Sequence, residues 1–246
     1  MCGRYTLIAN AEAIRMLFEV PAFDERLVVP RYNIAPTQPI AVVRSGPKGR
    51  ELLPMRWGLI PGWIKDPKTL APMILARADS VAEKPAFRGA FRHRRCLIPA
   101  SGFYEWQARA GGPKQPFLIR PPEGDTDSLI AFAGLWETWM GADGSEIDAA
   151  AIVTTEANAT LSFVHERMPV VLAPGDFAAW LDARTTPEEA QALLRPAPDA
   201  DLAAAPVSTR VNSVANDDPR LWTDPADTPP PPRKPARDSD SQGSLF

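Results

Sequence analysis

Arg95-Cys96-Leu97-Ile98-Pro99-Ala100-Ser101-Gly102-Phe103-Tyr104-Glu105-Trp106 reads as two short β-like runs, 95–98 and 102–106, parted by Pro and Gly. Apolar and aromatic residues fill both runs, and the Pro and Gly between them break the chain where a helix would need continuity. Outward from this stretch, runs of the same kind recur at 40–44, 55–57, 116–120, 130–136, 149–154 and 169–172. Helical spacing is rarer. Asn10 stands where an N-cap would precede Ile14, Leu17 and Phe18 at i, i+3 and i+4, with Pro21 to end the helix. Residues 176–182 form a second predicted helix, and Thr186-Pro187-Glu188-Glu189 opens a third with capping-box spacing and Pro at its first position. The pattern predicts an α+β fold: a single domain over 2–222 with an antiparallel or barrel-like β core and peripheral helices. After Trp222 come Pro229-Pro230-Pro231-Pro232, alternating charges and little apolar content before Leu245-Phe246, which predicts a disordered tail over 223–246.

At 246 residues and 45% apolar content the chain can bury a sizeable core without disulfides. Two cysteines, no apolar run long enough to cross a bilayer and no signal peptide point to a reducing cytoplasm and no membrane partner. Cys96 lies in an apolar run and reads as a buried, inert thiol. With two histidines and no clustered ligands, neither a metal nor another cofactor is expected. The net charge of −3 hides an asymmetry: residues 44–120 carry 15 Lys/Arg against 5 Asp/Glu, whereas 121–246 carry 8 against 21. The middle third is therefore a candidate polyanion surface, although its densest part, Arg88 to Arg95 with His93 inside it, is read in preference as an ordinary solvated face.

Chemistry concentrates at the N-terminus, Met1-Cys2-Gly3-Arg4-Tyr5. Removal of Met1 would place an α-amine (pKa about 7.7–8.0) and a thiol (about 8.5) on adjacent carbons of one residue. An aldehyde can condense with the amine to a Schiff base and the thiol can close a thiazolidine ring; alternatively the thiolate alone attacks an amide. The plainer reading is that a small second residue merely permits Met removal. His165, in Phe163-Val164-His165-Glu166-Arg167-Met168-Pro169, is read at the end of a short helix, as either a proton carrier or a structural histidine. Glu105, between aromatic residues, is either a buried carboxyl suited to proton transfer or an exposed edge-strand residue.

Nine segments together resemble the SOS response-associated peptidase family, bacterial relatives of the eukaryotic sensors that shield abasic sites in single-stranded DNA. They are Met1–Tyr5, Arg31-Tyr32-Asn33-Ile34-Ala35-Pro36-Thr37, 55–63, Ala76-Arg77-Ala78-Asp79-Ser80, 95–99, 102–106, 132–136, His165-Glu166-Arg167-Met168-Pro169 and Val207-Ser208-Thr209-Arg210-Val211-Asn212. The resemblance implies that Cys2, freed of Met1 by autoproteolysis or an aminopeptidase, forms a thiazolidine with the ring-opened sugar of an abasic site. It implies Glu105 and His165 as proton carriers, and Arg4, Asn33, Arg77, Thr154 and Arg167 as contacts to phosphate or lesion. Trp63 then offers a stacking surface, while Trp57, Trp136 and Trp180 read as core. Cations interleaved with aromatics suit single-stranded nucleic acid. One departure stands out: where the family typically has Asn before Ala76-Arg77, this chain has Leu75, which forms no side-chain hydrogen bond.

Three other readings remain open on the residues alone. N-terminal-nucleophile amidohydrolases also begin Met-Cys-Gly, and a thiol peptidase acting on other proteins would use Cys2, His165 and Glu105; a non-covalent single-strand binder with an idle Cys2 is the third. The ending Ser241-Gln242-Gly243-Ser244-Leu245-Phe246 resembles the peptide by which bacterial DNA-binding proteins engage the replicative sliding clamp, with Gln242 at the rim and Leu245 and Phe246 in an apolar pocket. The expected state is a monomer in the cytoplasm, associated with the nucleoid.

Overall fold

The structure, a computed structural model, describes residues 2–69, 71–122, 129–224 and 226. Its strands are, in chain order, β1 Arg4–Leu7, β2 Arg31–Ile34, β3 Pro39–Gly46, β4 Gly49–Trp57, β5 Leu75–Arg77, β6 Arg95–Ala100, β7 Gly102–Gln107, β8 Gln115–Arg120, β9 Ile130–Met140, β10 Glu146–Glu156, β11 Arg167–Pro169, β12 Val171–Leu172 and β13 Ala203–Pro206. The α-helices are α1 Ala11–Phe18, α2 Pro85–His93, α3 Phe177–Leu181, α4 Pro187–Ala192 and α5 Arg220–Thr223.

Five strands close on themselves. β9 and β10 form a long antiparallel hairpin, β9 pairs β6, β6 meets β3 at Val43↔Leu97, and β3 runs against β4. The ring closes where β10 pairs β4 in parallel through Ala149↔Arg56 and Ala150↔Trp57. The far end of β10 carries β5, also parallel, on one edge and β11 on the other. A second, antiparallel sheet has the order β13-β8-β7-β1-β2. The opening stretch joins the two: β6 belongs to the barrel, β7 to the second sheet, and Ser101 alone lies between them. Ser101 fixes the bend by donating its amide to the Thr6 carbonyl (2.7 Å) and accepting the Ile8 amide at its hydroxyl (3.0 Å). Core aromatics cross the seam, with Tyr5 edge-on to Trp57 and Phe132 at centroid distances of 5.2 and 5.9 Å and Phe103 edge-on to Phe132 at 5.9 Å. Such T-shaped contacts add to the burial of large apolar area.

Several expectations are met locally and others are corrected. The Asn10 side chain caps α1 by accepting the Ala13 amide (2.8 Å), but the helix ends at Glu19 in the left-handed region (φ 51°), before Pro21 is reached. Thr186 and Glu189 form the full capping box of α4. The run 169–172 is two strands on different partners, β11 on β10 and β12 on β9. The basic run 88–95 is mostly α2, a helix missing from the sequence reading, with Phe87, Ala90 and Phe91 buried. Arg95 is not solvated but buried. Its guanidinium donates to the carbonyls of Phe91 (2.8 Å), Trp180 (2.7 Å) and Asp182, tying the C-terminal ends of α2 and α3 to the barrel. Among the described residues no helix is long and apolar enough to cross a membrane. Met1 and the peptide containing Gln242, Leu245 and Phe246 lie outside the described residues.

Gly102 is required by close approach. A Cβ there would stand 2.7 Å from the Ile119 carbonyl oxygen and 3.0 Å from the Arg120 Cβ. A backbone oxygen cannot swing aside, so Gly102→Ala is expected to destabilise the protein by about 1–3 kcal/mol, read as a lower urea midpoint at unchanged slope.

Candidate functional site

β1 is an interior strand, held between β2 and β7 by Tyr5↔Ile34 on one side and by Arg4↔Tyr104 and Tyr5↔Phe103 on the other. The residues leading into it are buried with it. Cys2 is 2% exposed, and its thiol donates weakly to the Arg4 carbonyl at 3.6 Å. Glu105, on β7, is 3% exposed and accepts the Trp106 amide at Oε1 (3.2 Å). β7 lies between β8 and β1, so the exposed edge-strand alternative for Glu105 is excluded. Burial first, and the Glu105 charge second, push the Cys2 thiol well above its ordinary range. Cys96, buried in the barrel, is likewise pushed up by desolvation.

Arg4 and Asn33 form one unit. Arg4 Nη1 donates to Asn33 Oδ1 and to the Val211 carbonyl, both at 2.8 Å, and its guanidinium lies 5.9 Å from the Trp106 ring centroid. Asn33 is fully buried, and its amide donates to the carbonyls of Ser213 (3.0 Å) and Asn216 (2.7 Å). In this structure Asn33 therefore positions Arg4 and the 211–216 segment and presents no surface of its own. Asp217 completes the hub: it accepts the amides of Tyr32 and Asn33 and pairs with Arg31 at 2.6 Å. Trp106 Nε1 donates to Asn212 Oδ1 at 2.8 Å.

A second cluster forms where β5 and β11 flank the end of β10. Arg77 sits in register with Thr154, and Arg167 with Glu156. Arg167 Nη2 donates to the Thr154 carbonyl (2.6 Å) and hydroxyl (2.9 Å), while its Nε finds no acceptor among the described residues. Asp79 pairs with Arg77 at 2.6 Å and stands 3.7 Å from Arg167 Nη1. Hydrogen bonding from Arg77, supported by the Arg167 charge, holds the Asp79 carboxyl down at about 2. Burial, and then the Arg77 charge, lower the Arg167 guanidinium from its ordinary value. Arg77, Asp79, Glu156, Glu166 and Arg167 line one open cleft, which the sequence reading did not assemble because its parts come from distant segments.

His165 connects the clusters. It ends a turn, not the predicted helix, with Asn158 accepting the Leu161 amide at Oδ1 (3.0 Å) and the His165 amide donating to the Leu161 carbonyl (3.2 Å). His165 Nδ1 accepts the Arg167 amide at 3.0 Å, which assigns the ring proton of the neutral imidazole to Nε2. Gln107, one strand position pair beyond Glu105, donates to the Phe163 carbonyl at 3.0 Å and so ties this turn to β7. Trp63, 61% exposed, stands elsewhere, in a groove it shares with Arg88 and Arg94 of the α2 segment. Leu75 is half-buried and packs against the main core.

A model of the SOS response associated peptidase (SRAP) family matches residues 1–214, and the chain belongs to that family. It is 39% identical to the abasic site processing protein YoqW of Bacillus subtilis over 90% of this chain and 98% of the relative. It is 40% identical to the abasic site processing protein HMCES of Gallus gallus, over 69% of this chain and 56% of the relative. Among solved structures, a protein from Bacteroides thetaiotaomicron superposes with a TM-score of 0.78 at 23% identity, covering 89% of this chain and 98% of that one. A protein from Bordetella bronchiseptica superposes with a TM-score of 0.72 at 26% identity, covering 84% of this chain and all of that one.

Both thiols have folded-state pKa values raised by burial. Their contribution to stability is therefore complete below the free-thiol value of about 8.5 and drains away as pH rises above it. Native chain carrying Met1 is expected to resist alkylation by iodoacetamide at pH 7 and to take up two equivalents once unfolded in urea, as counted by mass spectrometry.

Proposed function

We propose that this member of the SRAP family processes abasic sites in single-stranded DNA by covalent capture through Cys2. The observation that carries the reading is the burial of Cys2 beside Glu105 at the head of an interior strand, a setting that admits a small aldehyde far more readily than a folded polypeptide. Met1 must first leave, by the chain's own action or by an aminopeptidase, and the freed α-amine then lies next to the Glu105 carboxyl. The amine adds to C1 of the ring-opened deoxyribose and water leaves, giving a Schiff base. The thiol then adds across the C=N bond, sulfur to carbon and proton to nitrogen, and closes the thiazolidine with no external oxidant or reductant. Glu105 takes and returns the protons at the amine, and His165, whose ring proton sits on Nε2, serves the sugar oxygen during ring opening.

The DNA path follows the cations. Arg77 and Arg167, the latter fixed by Thr154, seat backbone phosphate; Arg4, held by Asn33, faces the strand near Trp106; and Trp63 stacks on a base. Leu75 replaces one hydrogen-bonding contact with packing, so the lesion is held here by the remaining groups. The terminal peptide with Gln242, Leu245 and Phe246 docks on the sliding clamp, and the chain acts as a monomer associated with the nucleoid.

Two experiments test this reading. Protein freed of Met1, mixed with an oligonucleotide containing one abasic site and then denatured, is expected to give a heat-stable shifted band. Cys2→Ala and the form retaining Met1 are expected to give none, and Cys2→Ser at most a labile product; wild-type yield from the serine variant would overturn the ring chemistry. In a pull-down with purified clamp, wild type is expected to bind at micromolar concentration and a Leu245→Ala plus Phe246→Ala variant is not. Equal binding by both would make the tail a mere extension.

A further inference from the structure

Arg77 and Arg167 reach the same cleft from opposite edges of β10, and two guanidinium groups so placed repel each other. Asp79 relieves the repulsion. Its Oδ2 lies 2.6 Å from Arg77 Nη2 and 3.7 Å from Arg167 Nη1, and its Oδ1 lies 3.2 Å from Arg77 Nε. The Nε/Nη2 edge of Arg77 is the edge that grips a planar or tetrahedral oxyanion with two parallel hydrogen bonds. In the free protein a carboxylate already fills it. The Arg77 guanidinium has no other hydrogen-bonded partner among the described residues, and the side chain is 53% exposed, so this edge is accessible to solvent and to ligand. Arg167, by contrast, is anchored by the Thr154 carbonyl and hydroxyl.

We propose that Asp79 is an internal competitor for backbone phosphate, a specificity-determining residue that keeps the Arg77–Arg167 cleft from gripping intact single strands. The proposal rests on the reading of this cleft as a phosphate seat. A phosphodiester presents one negative charge over two free oxygens, as a carboxylate does, so the two contend for the same donors. Each strand that enters must displace Asp79, which weakens reversible binding to every sequence alike. At an abasic site the covalent bond holds what the cleft alone would release; on intact DNA nothing does, and the protein moves on. Because Asp79 stays ionised down to about pH 2, the competition operates at every working pH and is relieved only by another anion.

The test uses the full chain and an intact oligo-dT single strand, with affinity read by fluorescence anisotropy across a salt series for wild type, Asp79→Asn, Arg77→Ala and the double variant. Asp79→Asn is expected to bind about two- to fivefold tighter at low salt, the range of an exposed ion pair. Its log–log salt dependence should steepen by about 0.7, one additional counterion released from a single strand. The gain should vanish in the Arg77→Ala background, and a tenfold excess of intact strand should slow crosslinking of an abasic oligonucleotide more for Asp79→Asn than for wild type. If Arg77→Ala weakens binding while Asp79→Asn leaves it unchanged or weakens it too, Asp79 orients the arginines and the competition is refuted while the phosphate seat stands. If Arg77→Ala has no effect, the seat itself is wrong and the competition falls with it.

Discussion

Everything distinctive about this molecule depends on an N-terminal strand being an interior strand. β1 has partners on both edges, so the chain cannot fray there without breaking two ladders, and Cys2, two residues upstream, is buried with it. Chain termini are ordinarily exposed and mobile unless tied down in this way. The side chains of β1 complete the restraint: Tyr5 enters the aromatic core, Thr6 donates to the Arg31 carbonyl at 3.0 Å, and Arg4 is gripped by Asn33 and Val211. Cys2 thereby acquires a fixed position relative to Glu105, which a flexible terminus would lack.

The electrostatics follow from that architecture rather than from net charge by segment. The excess of cations between residues 44 and 120 invites the view that this third is the DNA surface. Much of it is spent on structure. Arg95 is buried on helix-end carbonyls, Arg94 pairs with Glu137, and Arg44 stacks on Trp136 at 4.5 Å while facing Glu51. The cleft beside β10 draws Arg77 and Asp79 from the basic third but Arg167, Glu156 and Glu166 from the acidic one. The cleft is thus built from a few placed charges of both signs, in keeping with the rule that folds host sites and that bulk composition speaks mainly to solubility.

β3, β6, β9 and β10 were legible because their apolar runs are long and punctuated by Pro or Gly, whereas of β4 only the end, 55–57, was readable. β1, β2 and β5 were not, since three or four residues with Arg, Thr or Asn among them carry no period, and only their neighbours make them strands. α2 was hidden by Gly89 and its basic residues, although Pro85 at its first turn and the spacing of Phe87, Ala90 and Phe91 were the available signals. In the site, the chemical types at Cys2, Glu105 and His165 were readable, but not their surroundings. Burial of Glu105 depends on which strands flank β7, and the tautomer of His165 depends on a backbone amide two residues on. Asp79 lies within a quoted motif, but its partner Arg167 is brought to it only by the pairing of both β5 and β11 with the end of β10.

That parallel pairing also accounts for the position of Leu75. Pairing with Ile152 sets Leu75 on the same face of β5 as Arg77, with Ala76 turned to the opposite, fully buried face. A polar amide at 75 would sit two residues from the Arg77 guanidinium that lines the cleft. Leucine instead packs against the core and anchors a strand only three residues long. A strand so short has few ladder bonds to hold it, so apolar burial at 75 steadies Arg77, and through it Asp79. Packing at 75 therefore gives the short strand a firmer platform beneath the charges of Arg77 and Asp79.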